Sequence, residues 1–214
     1  MNNLMLRRRM MAQKTVKYGV YIQDGAGKLW TADEWDDSAI PTGVAVITED
    51  CQFLIDPYSD PEPNLPMARQ IDTTDIGIPT QGSPSIDYDG YENTLGIVTV
   101  YGKDKTLAAG WCGSQFILNS GWGYLGSGGE WDAVMKNYVE VNNCFEALGR
   151  DPLIVVGASY WTSSLVGVYM SGSGYIPTFW RISISETGSI SFRAVVGSNA
   201  SNVYTVAFGY LPRI

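Results

Sequence analysis

The chain has 214 residues and a mass of 23.4 kDa, the length of one domain, or of one domain and an arm, with enough chain to bury roughly 70% of its unfolded surface without a disulfide or metal. It is 45% hydrophobic but only 17% charged, with 24 Gly, 13 Tyr and 7 Trp; that aromatic content excludes disorder, and low charge with high glycine excludes a coiled coil or helical bundle. Net charge is −8 and there is no histidine, which excludes histidine triads, His-ligated zinc and imidazole acid–base chemistry.

Residues 1–17 read as a basic arm, flexible or used in assembly. Arg7, Arg8, Arg9, Lys14 and Lys17 are five of the 14 cations, and no acid accompanies them. The rest of the chain, 18–214, reads as a single domain carrying a net −13. An acidic body repels phosphate backbones, so no nucleic acid is expected to bind it. No apolar stretch follows the arginines before Gln13 and Lys14, so no secretory signal is visible. No segment approaches 18 apolar residues, so no membrane span is expected.

Tyr18–Ile22 reads as a strand that turns at Asp24-Gly25 and Gly27 into Leu29-Trp30. Gly43–Ile47 and Gln52–Ile55 are further strands separated by a turn at Glu49-Asp50. Glu34, Asp36 and Asp37 read as a solvated helix or turn face. Residues 56–93 are rich in Pro, Asp, Gly and Ser, fit no period and read as a long irregular excursion.

Leu107, Ala108, Trp111, Cys112 and Phe116 fall at helical spacing, predicting a helix from Lys105 to about Leu118. Ser127 followed three residues later by Glu130 is a capping-box signature. It opens a second helix with Trp131, Val134, Met135 and Tyr138 on one face. Val141–Leu148 reads as a short helix ended by Gly149. Cys51, Cys112 and Cys144 have no metal-ligand spacing and have large apolar neighbours, so they read as buried thiols.

After Asp151 the composition changes. Residues 155–214 hold one acid (Glu186), three arginines (Arg181, Arg193, Arg213) and eleven serines among 60 positions. Segments 160–164, 178–184, 189–196 and 203–208 read as antiparallel strands, with turns at Gly172, Gly174, Gly188 and Gly197. The layout is α+β, with two main helices and antiparallel sheets.

Three pieces of the sequence carry a resemblance. Leu107–Cys112 is a first helix, Gly121–Trp131 leads into a second, and Tyr160-Trp161-Thr162-Ser163-Ser164 follows as a strand. In that order they resemble the C-type lectin-like fold, in its formylglycine-generating-enzyme-like branch, as found in phage tail-fibre proteins and bacterial surface adhesins. Asp87–Thr94 also resembles a loop of those proteins. The resemblance covers roughly residues 18–214. Gly126 departs from it, standing where the family usually has proline, and Tyr210–Ile214 matches the family's close only loosely.

The resemblance implies a ligand- or receptor-binding protein rather than an enzyme. The enzyme branch uses a late pair of reactive cysteines, and no cysteine follows Cys144. The calcium-binding Glu-Pro-Asn of sugar-binding relatives occurs only as Glu62-Pro63-Asn64, far too early in the chain. Asp87, Asp89 and Glu92, with Asn93, are weak candidates for Ca²⁺, and an Asp/Gly turn held by its own side chains explains them equally well. No other cofactor is expected.

The expected ligand surface comes from composition. Tyr, Ser, Asn and Gly supply contact area and adaptable hydrogen bonds, and they crowd segments 168–175 and 198–204. The candidate ligand-binding residues are therefore Tyr169, Ser171, Ser173, Tyr175, Asn199, Ser201, Asn202 and Tyr204. The expected partner is a cell-surface glycan or protein receptor, met from a virion or cell surface. A homo-oligomer is expected, trimeric if the chain belongs to a tail fibre. In some members of the resembled group this end of the chain is diversified by a retroelement. The alternatives are a structural virion component (a decoration or baseplate protein) and a formylglycine-generating-type enzyme.

Overall fold

The structure is a computed structural model that describes residues 17–58 and 60–211. The arm through residue 16 and Arg213 lie outside the described residues. Its first hairpin is closed by a side chain: Asp24 accepts backbone N–H bonds from Ala26 and Lys28 and the indole N–H of Trp30, each at 2.9 Å. Those bonds hold β1 (Gly19–Asp24) against β2 (Leu29–Trp30).

Strands β3 (Pro41–Ile47) and β4 (Gln52–Ile55) extend this sheet, and two late-joining strands, β8 (Tyr124–Leu125) and β13 (Ala207–Tyr210), complete it. Its order is β2-β1-β3-β4-β13-β8, antiparallel throughout. Both faces are covered. Val44, Val46, Phe53 and Ile55 point into one core, and Ala45, Ile47 and Leu54 into the other. That two-sided burial is why Gly43–Ile47 is a continuous apolar run rather than an alternating one.

The second sheet is β11-β10-β9-β12-β5. It contains β9 (Ser159–Ser171), β10 (Gly174–Ile184), β11 (Ile190–Val196), β12 (Val203–Thr205) and β5 (Glu62–Pro63). All its pairings are antiparallel except β12 on β9. A small ribbon, β6 (Phe116–Ile117) with β7 (Gly121–Trp122), stands apart.

Four helices occur among the described residues: α1 (Gly90–Tyr101), α2 (Ala108–Cys112), α3 (Gly128–Lys136) and α4 (Tyr138–Ala147). The fold is therefore α+β, with more helix than the two main segments expected. Helix α3 starts where the Ser127 and Glu130 signature placed it. Trp131 lies in the first core at 4.9 Å from Tyr160 and 5.0 Å from Phe208, ring centre to ring centre.

Two expectations are corrected. The helix expected over Lys105–Leu118 is only α2, because the chain leaves it at Gly113 to form β6, where Phe116 is exposed against Trp122. The irregular excursion ends earlier than residue 93, because α1 begins at Gly90. The excursion itself is tied down: Trp161 donates its indole N–H to Leu65 O, Trp180 to Gln81 O, and Met67 N–H bonds Gly197 O. The segment 203–208, expected as one strand, divides at Val206 between the two sheets.

Candidate functional site

A cleft of about 630 Å³ lies between the β3–β4 turn, the start of α1 and the end of β13. Thr48 shapes the turn, accepting the Cys51 N–H at 3.0 Å and donating to Cys51 O at 3.1 Å. Glu49 and Asp50 then stand on one wall and Asp89 and Glu92 on the other, with Tyr88, Tyr91, Tyr124 and Tyr210 between. Among the described residues no Lys or Arg lines it, so the field of these residues favours cationic groups.

Glu130 lies at the floor. Its Oε1 accepts the Tyr124 hydroxyl at 2.7 Å, and its Oε2 accepts the Ser127 N–H at 2.8 Å and the Ser127 hydroxyl at 3.0 Å. Burial pushes its carboxyl up to about 7, against the hydrogen bonds from Ser127 and Tyr124. Burial also raises the Tyr124 phenol, with the Glu130 charge as the second cause. Gly90 makes this packing possible, since a Cβ there would overlap Glu130 Oε2. Both carboxyl oxygens thus face protein donors. Burial raises the Cys51 thiol to about 11, so the cleft offers no thiolate nucleophile. Sequence reading found Glu130 only as a cap; its place beside Trp131 on a buried helix face was the signal that its carboxyl is dry.

The weak calcium candidates do not converge. Asp87 is buried; its Oδ1 accepts the Asp89 N–H at 3.1 Å, and its Oδ2 accepts Asn93 Nδ2 at 3.0 Å and the Ser164 hydroxyl. Its oxygens are used in tying α1 to β9. Asp89 and Glu92 are exposed on the cleft wall. Among the described residues no three Cys, Asp or Glu group to hold a metal ion. Glu62 and Pro63 form β5 and pair with β12, so that tripeptide is part of a sheet edge.

The eight candidate ligand residues fall into two separate places. Tyr169, Ser171 and Ser173 are exposed at the end of the β9–β10 hairpin, and Tyr175 is half-buried beside them, paired with Met170. Asn199, Ser201 and Asn202 are exposed in the loop before β12, where Asn202 N–H bonds Asn64 Oδ1 at 2.9 Å. Tyr204 is half-buried, its ring 5.8 Å from that of Tyr160. Tyr204 pairs with Tyr160 and Tyr175 with Met170, so these two tyrosines sit ten positions apart along β9, roughly 30 Å. Asn199 lies closer to the hairpin, two residues beyond Gly197, whose N–H bonds Pro177 O. Tyr204 is a packing residue of the first core.

Compared with known proteins, the chain matches no family model, no curated protein and no solved structure.

Proposed function

We propose that the chain is a non-enzymatic recognition domain of the C-type lectin-like kind, in the formylglycine-generating-enzyme-like branch. It acts at a phage or prophage tail fibre against a cell-surface glycan or protein receptor. The observation that carries this reading is the end of the β9–β10 hairpin. Strands of 13 and 11 residues run out of the two cores and present Tyr169 and Met170, 55% and 78% exposed, beside Ser171 and Ser173. Large apolar side chains exposed on a rigid ribbon among small hydroxyls suit contact with another molecule. The buried, fully hydrogen-bonded Glu130 and the protonated Cys51 support the non-enzymatic part.

The test is a whole-cell and glycan-array binding screen with purified protein and its Tyr169→Ala variant. The reading expects a hit that falls at least tenfold in the variant. Binding equal in both would remove the hairpin end as the site.

One observation favours the structural-virion alternative. Phe116 and Trp122 of the β6–β7 ribbon are 65% and 58% exposed and pack edge to face at 5.7 Å. An exposed aromatic pair of this kind suits an assembly contact. Under that reading Trp122→Ser changes the oligomeric mass in solution and Tyr169→Ala does not.

A further inference from the structure

In an acidic protein, two arginines face each other with no acid between them. Arg181 on β10 and Arg193 on β11 are direct cross-strand partners, which places their Cβ atoms about 4.5–5.5 Å apart on one face of the sheet. Like charges directly opposite are destabilising. The other arginines of the described body are compensated: Arg69 pairs with Asp104 and Arg150 with Asp60. Neither Arg181 nor Arg193 forms an ion pair with a described residue. Burial, and after it the charge of Arg193, lowers the pKa of Arg181. The only acid after Asp151 is Glu186, exposed in the β10–β11 turn.

The neighbouring row of the sheet is built of hydroxyls. Ser183 pairs with Ser191 on one side and Ser159 on the other, and the Ser183 and Ser191 hydroxyls lie 3.0 Å apart. Residues two apart on a strand share a face, so Ser183 and Ser191 stand beside Arg181 and Arg193 and point the same way. Arg193 and Ser191 are exposed, and Arg181, Ser183 and Ser159 are half-buried. Two planar donor forks next to a row of rotatable hydroxyls match the geometry of an oxyanion with flanking hydroxyl groups.

We propose that Arg181 and Arg193, with the serine row of β9, β10 and β11, bind an acidic saccharide through its carboxylate or sulfate oxygens. The ligand supplies the negative charge that the fold withholds from this pair. A polynucleotide is the poorer match, because the body around the pair is strongly acidic and repels a long phosphate backbone. The proposal deepens the recognition reading by naming a receptor chemistry, and it rests on that reading only for its biological setting.

The test is made on the full chain, by calorimetry and thermal unfolding at low salt. The probes are polysialic acid (carboxylate), dextran sulfate (sulfate), neutral dextran and a duplex DNA oligonucleotide, each against the parent, Arg181→Gln and Arg193→Gln. The five cations of residues 1–17 are common to all three proteins, so the difference between parent and variant reports the arginine pair. Binding of polysialic acid or dextran sulfate, but not dextran, is expected, weakened at least tenfold in each variant. Without ligand, Arg193→Gln should melt no lower than the parent, because it removes a repulsion. Equal affinity in parent and variants, or DNA binding as tight as either saccharide and equally lost in the variants, would overturn the proposal. A positive result with no whole-cell binding would retain the saccharide site and count against the tail-fibre reading alone.

Discussion

Tyr124 donates its hydroxyl hydrogen to Glu130 across 2.7 Å, and through that bond β8 is joined to the first turn of α3. Because Glu130 titrates near 7 when folded and near 4.5 when unfolded, the unfolded chain releases its proton first as pH rises. Glu130 therefore favours the fold fully below pH 4.5, and that contribution is lost as pH climbs through 7. The span corresponds to about 3 kcal/mol. Urea unfolding between pH 4.5 and 7.5 should show the parent weakening relative to Glu130→Gln, whose amide resembles the protonated acid. Parallel pH profiles would contradict the assignment.

Gly126 lies under the ring of Phe208, where an added Cβ would come within 2.5 Å of the ring edge. Phe208 is in turn stacked on Phe53 at 4.8 Å and cannot retreat. Gly126→Ala should cost about 1–3 kcal/mol by overpacking, read as a lower denaturation midpoint with an unchanged slope. Proline, usual at this place in the resembled family, would meet the same ring.

Tyr169 on β9 and Tyr204 on β12 should behave differently. Tyr204 packs on Tyr160 and the first core, so Tyr204→Ala should lose about 2 kcal/mol of stability. Tyr169 is exposed, and Tyr169→Ala should stay within about 0.5 kcal/mol of the parent. Equilibrium unfolding of both variants separates the packing residue from the surface one.

Much of this was readable from residue order, and the unread parts share a cause. Ser127 and Glu130 announced α3, and Gln52–Ile55 was found to the residue, because their signals are local. Helix α1 gave no such signal. Its buried positions are Gly90, Asn93, Thr94 and Ile97, at helical spacing but mostly polar, so no apolar stripe exists to be seen. Thr94 is buried there because its hydroxyl serves two backbones, donating to Gly90 O at 2.8 Å and accepting Leu125 N–H at 2.9 Å. The cleft was invisible because its walls come from residues near 50, 90, 130 and 210. The candidate ligand residues were chosen by composition, which has no direction, and so it grouped Tyr204 with Tyr169 across the length of a strand. The arginine pair needed the β10–β11 register.

All three cysteines are free, with Cys112 and Cys144 buried. Burial holds the Cys51 thiol near 11 and the Cys144 thiol near 12. At pH 7.5 fewer than about one Cys51 in a thousand is thiolate. A disulfide-exchange reagent should therefore label almost nothing in the native protein over minutes and three thiols after denaturation. Rapid native labelling would show a site opened to solvent.

The division of the chain at Val206 has a consequence for folding. Residues 203–205 seat β12 between β9 and β5, and residues 207–210 seat β13 between β4 and β8. One short stretch is thus the inner strand of both sheets. Without it, β4 and β9 each lack a neighbour on one side, and Phe53 and Trp131 miss the ring of Phe208. Completion of one sheet is therefore coupled to completion of the other through a single segment.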